Sequence, residues 1–195
     1  MSRAGLSAEV VTHAAADLAD EVGLRQVTLS AIARRFGVRL PSLYSHVAGS
    51  EDLRARVSLL ALDELASAGE RALEGRTGRD ALVAFAELHR AYAADHPGRF
   101  EAAGSLRVPA SPEAARLAER MGRLTDAVLA GYEMPAREHV HAVRVVGSLL
   151  RGFLQLEAGG AFAHSSPPAE ESWHRALDAL DAVLGSWPLD VGAHV

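Results

Sequence analysis

The chain has 195 residues, of which 49% are hydrophobic, so it is long enough for one large domain or for a small head on a larger body. It contains no cysteine, which excludes disulfides and thiolate chemistry. The formal net charge is −5, but residues 1–57 hold seven arginines against six acidic residues, whereas the remainder holds 13 against 19. The near-neutral N-terminal part can therefore still bind an anionic partner if its arginines share one face.

The N-terminus has no apolar run after its first basic residue, so no secretory signal is expected. No stretch approaches the ~20 apolar residues that a membrane-spanning helix needs. We therefore expect a soluble protein of the cytoplasm.

Three short helical segments are predicted near the N-terminus. The first covers about residues 7–22, with Ser7 as its N-cap. The second starts at Thr28 and ends at Gly37, which supplies a left-handed residue. The third covers only residues 40–47 and carries a proline in its first turn.

Longer helices with an apolar periodicity follow, and no convincing strand is found. A fourth helix opens at Ser50 and ends near Gly75, and the next is stopped by the His96-Pro97 pair. Further helices begin near Pro112, near Ala136 and before Trp173. The sequence thus predicts an all-α fold, with a three-helix head over residues 1–50 and a helical body over residues 51–195.

The second and third segments together predict a helix-turn-helix. Gly37 turns the chain sharply between them, and only Leu43 and Val47 of the third segment point inward. Small and polar side chains are left free on that segment, as a helix that enters the major groove of DNA requires.

These residues resemble the DNA-binding domain of the TetR family of transcriptional regulators. The likeness covers roughly residues 6–57 and rests on the runs TLSAIA (28–33), FGV (36–38), PSLYSHV (41–47) and EDL (51–53). It implies a homodimer that binds double-stranded operator DNA. Because repression is the commoner behaviour in the family, it also implies a repressor that a small-molecule inducer releases from that DNA.

The resemblance also implies which residues contact DNA. Tyr44 and His46 match residues that lie against the phosphate backbone, whereas Arg39 and Leu40 hold positions from which such proteins read bases. The complete predicted set is Thr28, Ser30, Arg39, Leu40, Pro41, Ser42, Tyr44, Ser45, His46 and Ser50.

Two positions depart from the family pattern. Ser50 stands where such proteins usually carry a phosphate-binding lysine, although a serine at a helix N-terminus can also hold a phosphate. Arg39 stands where a small capping residue is commoner; it either pairs with guanine O6 and N7 or clamps a phosphate. Arg34 and Arg35 are equally consistent with DNA contacts and with a solvated helix face.

The helical body is expected to dimerise and to enclose an inducer pocket, as the resemblance implies. The predicted interface residues are Val143, Gly147, Leu150, Leu154, Trp173, Leu177, Leu180 and Leu184; the alternative is that they form intramolecular core. The predicted pocket residues are Leu88, Tyr92, Phe100, Leu106, Met121, Leu124, Phe153 and Gln155, which could equally be packed. Gly152 and its neighbours also resemble a C-terminal variant of the family named for Trp, His and Gly.

Three classes of function are compatible with a helical chain of this length. A ligand-responsive repressor fits best, and an architectural DNA-binding dimer without an inducer is the alternative. An enzyme is not expected, because the chain has no cysteine, no nucleophile elbow and no glycine-rich phosphate loop. No cofactor and no metal are expected, because the histidine pairs are not spaced as ligands.

Overall fold

The computed structural model describes residues 5–104 and 110–187, and over these ranges the protein is helical without any strand. The all-α fold class is therefore confirmed. The helices are α1 (Ala8–Val22), α2 (Leu29–Phe36), α3 (Ser50–Ala72), α4 (Gly78–Asp95), α5 (Pro97–Ala103), α6 (Pro112–Leu129), α7 (His139–Ala158) and α8 (Ala169–Gly185).

Side-chain caps begin α1 and α2 where the sequence predicts them. The Ser7 hydroxyl accepts a hydrogen bond from the Val10 N–H, and the Thr28 hydroxyl accepts one from the Ala31 N–H. Gly37 ends α2 with φ 64°, a left-handed conformation in which a Cβ atom is costly. These local signals fix the first two elements of the predicted helix-turn-helix.

The third element differs from its prediction. Instead of a helix over residues 40–47, the structure has a 3₁₀ helix, Leu40–Leu43, followed by a turn through residue 46. The His46 and Val47 N–H groups both donate to the Leu43 carbonyl, at 2.9 Å and 3.1 Å. The segment is too short for a regular helix to propagate, and Pro41 supplies no N–H. We call residues 40–47 the recognition segment.

Helix α5 was not predicted. Its first residue is Pro97, which also ends α4, so one residue performs both tasks. Proline cannot continue a helix because it lacks an N–H, yet its fixed φ suits the first position of the next one.

The chain divides into two compact units: residues 1–65 with 92–118, and residues 66–91 with 119–195. The first contains α1, α2 and α5 and has one hydrophobic core. That core consists of Val11, Ala15, Ala16, Ala19, Leu24, Val27, Leu29, Ile32, Ala33, Leu43, Val47, Leu53, Val57 and Ala102.

The second unit contains α7 and α8, which pack against each other. Its most buried large side chains include Leu82, Leu129, Trp173, Leu180 and Leu184. The functional boundary between residues 50 and 51 stays a prediction, since it concerns activity rather than packing. None of the described helices is both long and apolar enough to span a bilayer.

Candidate DNA interface

Two buried side chains hold the recognition segment in the core of the first unit. Leu43 is fully buried and Val47 almost so, and both belong to the same core cluster as Ile32 of α2 and Leu53 of α3. The segment is therefore anchored from beneath by α2 and α3. Its remaining side chains are not needed for packing and are available to a ligand.

The outward side chains of the recognition segment are small, hydroxylated or aromatic. Pro41, Ser42 and Ser45 are exposed, and Tyr44 is 57% exposed. Leu40 and His46 are half-buried. The Ser45 hydroxyl donates to the Ser42 carbonyl at 2.9 Å, whereas the Tyr44 hydroxyl forms no hydrogen bond with any residue that the structure describes.

The N-termini of α2 and α3 are joined by one hydrogen bond. The Leu29 N–H donates to the Ser50 hydroxyl oxygen at 3.2 Å, while Thr28 caps the Ala31 N–H. Ser50 therefore accepts from the protein and keeps its own hydrogen for a further acceptor. Ser30, in the first turn of α2, is exposed. Positive helix ends and hydroxyl donors of this kind suit phosphate oxygens.

The arginines of this region fall into two groups. Arg35 forms a bidentate pair with Glu21, at 2.8 Å and 2.9 Å, and hydrogen bonding by Arg35 lowers the pKa of the Glu21 carboxyl. Arg54 bonds the Val27 carbonyl as well as Glu51. Arg56 pairs with Asp52 at 3.1 Å. These three guanidinium groups are occupied by the fold itself.

Arg25, Arg34 and Arg39 form the second group. All three are exposed, and within residues 5–104 and 110–187 none of them forms an ion pair or a side-chain hydrogen bond. Arg39 precedes the recognition segment with an extended backbone, φ −76° and ψ 141°. These are the cations of the region that remain available to an anionic ligand.

The predicted pocket residues lie in several environments. The Tyr92 hydroxyl donates to Glu64 at 2.6 Å, Phe100 and Leu124 are buried, and the ring of Phe153 packs on those of Phe162 and Trp173. Met121 is half-buried and Gln155 is exposed. Leu88 borders an open groove of about 710 Å³ beside the end of α3. Leu106 lies outside the described residues.

A different set of residues surrounds an apolar cavity in the second unit. The cavity has about 10 Å³ of free space, and it is lined by Phe85, Thr125, Val128, Leu129, Val143 and Val146 of α4, α6 and α7. None of the predicted pocket residues that the structure describes borders it. Thr125, a polar residue within the apolar stripe of α6, is the sequence signal that could have indicated it.

Most of the predicted interface residues are buried within this single chain. Leu150, Leu154, Trp173, Leu177, Leu180 and Leu184 are 0–3% exposed. Their side chains therefore form intramolecular core, which corrects the residue assignment. Val143 is half-buried, and only Gly147 is exposed. The apolar residues that α7 and α8 leave uncovered are others: Val140 (50% exposed), Val145 (40%), Leu156 (53%) and Val183 (47%).

Within the described ranges, no group of three or more His, Asp or Glu side chains is arranged to hold a metal ion. His139 lies 3.9 Å from Asp126, and His174 lies 3.4 Å from Glu170. Each of these histidines thus has a single acidic neighbour, as a surface ion pair does.

Comparisons with known proteins agree with this geometry. The family described as "Tetracyclin repressor-like, C-terminal domain" matches residues 82–180. The chain is 33% identical over 160 residues to the HTH-type transcriptional regulator Rv0681 of Mycobacterium tuberculosis, covering 80% of this chain and 72% of that protein. It is 31% identical over 160 residues to the HTH-type transcriptional regulator YobS of Bacillus subtilis, covering 82% and 83%.

Solved structures share the fold at lower identity. One is a single-residue variant of TetR from Acinetobacter baumannii in complex with minocycline, with a TM-score of 0.67 at 23% identity, over 91% of this chain and 96% of that one. Another is PfmR from Thermus thermophilus, with a TM-score of 0.61 at 22% identity, over 96% and 100%.

Proposed function

The chain belongs to the TetR family of transcriptional regulators, and from that premise we propose that it is a homodimeric repressor that a small-molecule inducer releases from operator DNA. The head over residues 1–50 reads the operator, and the body over residues 51–195 dimerises and binds the inducer.

The observation that carries the DNA-binding role is the recognition segment itself. Leu43 and Val47 anchor it, so its outer side chains are held at fixed positions without taking part in the core. An element that reads a DNA groove requires exposed donors that are already fixed in position, with unpaired arginines beside them. If such groups had to be ordered on binding, the affinity would be lower.

The contacts divide into two classes. Hydroxyl and imidazole donors position the protein on phosphates: Thr28, Ser30, Ser42, Tyr44, His46 and Ser50, and also Ser45 once its hydroxyl exchanges the Ser42 carbonyl for a phosphate oxygen. Base edges are reached by Arg39, which precedes the recognition segment, and by Leu40 and Pro41 at its start. Ser50 replaces an ion pair with a neutral hydrogen bond, and its link to the Leu29 N–H keeps it at the junction of two positive helix ends.

A second copy of the chain covers the exposed face of α7 and α8. On α7, Val145, Ser148, Gly152 and Leu156 follow one another at spacings of three and four residues, which places them on one stripe. On α8, Ala176, Ala179 and Val183 do the same. Small and apolar residues on both stripes allow close helix packing, so two copies can form a four-helix interface.

The inducer occupies the apolar cavity lined by Phe85, Thr125 and Val143 after that cavity expands. The A. baumannii TetR variant that shares the fold holds minocycline in its structure. The present cavity has room for about one water molecule, so a ligand must displace side chains to enter. A ligand that favours the expanded conformer then shifts the population away from the DNA-binding one.

The experiment that tests the DNA-binding role is selection of random duplex DNA by the full chain at one fixed, near-physiological salt concentration. We expect a two-fold symmetric site, because a symmetric dimer presents two identical recognition segments. The double variant Arg39→Ala/Tyr44→Ala is the matched control and should enrich that site much more weakly. Equal binding of every sequence by the unmodified chain would instead support the architectural alternative.

A further inference from the structure

A cluster of charges, in which Arg99 and Asp20 are the largely buried members, joins α1 to α5 inside the first unit. The Arg99 guanidinium is only 10% exposed; its Nη2 donates to Asp17 at 2.6 Å, and its backbone N–H donates to Asp20 Oδ1 at 2.9 Å. A cation so far from water is stable only while its partners remain in place. Arg99 therefore depends on the other members of the cluster.

One atom in this cluster lies within hydrogen-bonding distance of both a donor and an acceptor, and it can form a hydrogen bond with only one of them at a time. His96 Nδ1 lies 3.0 Å from Arg99 Nη1, which is a donor, and 3.1 Å from Asp20 Oδ2, which is an acceptor. In the neutral tautomer that carries its proton on Nε2, Nδ1 accepts the hydrogen bond from Arg99. With a proton, it donates to Asp20 instead. A single proton thus decides which of the two contacts is a hydrogen bond.

The change is unfavourable for Arg99. A protonated His96 places two cations 3.0 Å apart, and of the two only the guanidinium, which is 10% exposed, lies largely out of contact with water. The Asp20 oxygen that His96 then takes is also the one nearest Arg99 Nε, at 3.4 Å, and this buried Nε has no hydrogen-bond partner among the described residues. Because the His96 side chain is 38% exposed, the imidazolium can move outward.

The other groups around His96 do not compete for the same proton. Burial raises the pKa of the Tyr92 hydroxyl above its ordinary value, and so does its hydrogen bond to Glu64. Tyr92 therefore stays a neutral donor, with its ring against that of His96. The groups that face His96 from the elements around it are Asp17 and Asp20 of α1, Tyr92 of α4, Arg99 of α5, and, through Tyr92, Glu64 of α3.

We propose that His96 is a proton-operated switch: neutral His96 holds Arg99 and keeps α5 fixed on α1, whereas protonated His96 releases Arg99 and weakens operator binding. The link to DNA runs through α1, which shares its core with Leu43 and Val47 of the recognition segment. A recognition segment that is held less firmly loses more conformational entropy when it binds DNA, which lowers its affinity. This last step rests on the proposed function; the switch itself does not.

The test compares operator affinity at about pH 8 and about pH 6, the range in which imidazoles titrate, at constant ionic strength. The unmodified chain should bind about fivefold or more weakly at the lower pH. His96→Asn keeps an acceptor for Arg99 that cannot be protonated, so its affinity should stay at the high-pH level. His13→Asn, an exposed histidine of α1, is the matched control and should respond to pH as the unmodified chain does.

Two results would overturn the switch: an equal loss of affinity in the His96→Asn variant, or unchanged or tighter binding of the unmodified chain at low pH. Tighter binding is what protonation of His46 beside a phosphate would produce. If no DNA is bound at either pH, the proposed function fails, and amide hydrogen exchange decides the switch alone. The Arg99 and Phe100 amides, which donate to Asp20 and to the His96 carbonyl, should lose protection at low pH only when His96 is present.

Discussion

A methyl group on Gly98 would lie 2.0 Å from the carbonyl oxygen of Ala19, so the backbone of α5 rests directly on the backbone of α1. Replacing Gly98 by Ala must separate the two helices, because neither backbone can yield as a flexible side chain would. We expect the free energy of unfolding to fall by about 1–3 kcal/mol or more, measured by urea denaturation.

The matched control is Gly122→Ala in α6, where a methyl group would meet no atom within 4 Å. This variant should be up to about 1 kcal/mol more stable, since alanine favours the helix interior. Equal stabilities of the Gly98→Ala variant and the unmodified chain would contradict the close approach of α1 and α5.

Whether Arg39 contacts a base or a phosphate is decided by how the loss of its side chain affects binding to different DNA sequences. If Arg39 pairs with a guanine, Arg39→Ala should relax discrimination at one position of each half-site by about 1–3 kcal/mol, while affinity for DNA substituted there changes little. Competition binding with single-base operator variants measures this. A uniform loss for all sequences would make Arg39 a phosphate contact. Arg35→Ala is the control, because that guanidinium is already paired with Glu21.

The sequence predicted the elements whose signals are local. The caps Ser7 and Thr28 and the left-handed Gly37 act within four residues of their own positions, so their effects can be inferred without tertiary structure. Helix α5 was missed because its seven residues are too few for an apolar period. Which arginines are free was also not predictable, since the partner of Arg35 lies 14 residues away on another helix.

The inward face of α7 shows a second limit. Its sequence carries apolar residues on two faces, so periodicity could not tell which face is covered by the same chain. The predicted seam contained Val143, Gly147, Leu150 and Leu154, whereas the buried positions are Ala142, Val146, Leu150 and Leu154. The choice of face depends on contacts with α8, which no local pattern encodes. Which residues line a cavity likewise depends on how α4, α6 and α7 pack together, and the predicted pocket residues stay a prediction.

Tyr44→Phe removes the protruding hydroxyl of the recognition segment and keeps the aromatic ring. Affinity should fall about fivefold for every DNA sequence, which is the equivalent of one ordinary hydrogen bond of about 1 kcal/mol. Because the tyrosine is neutral, the slope of affinity against salt should not change. Fluorescence anisotropy titrations at several salt concentrations check both points. A sequence-dependent loss would place Tyr44 against a base rather than a phosphate.

Ala179→Arg tests the interface formed by α7 and α8. The Ala179 side chain is exposed in the single chain, next to Val183 on the outer stripe of α8, so the arginine should not disturb the fold. In a dimer, the two arginines would be brought into one apolar contact, where unpaired charges are costly. We expect sedimentation to show a monomer, and circular dichroism to show an unchanged helical content.

The monomer should also bind operator DNA far more weakly, because its two half-sites are no longer bound together and the gain in effective concentration is lost. Ala118→Arg, which adds the same charge at an exposed position of α6, should remain dimeric and bind normally. A dimeric Ala179→Arg variant would place the interface on another face of the molecule. A monomeric variant that still binds the operator tightly would show that one recognition segment is sufficient, and would therefore contradict the two-fold symmetric mode of binding.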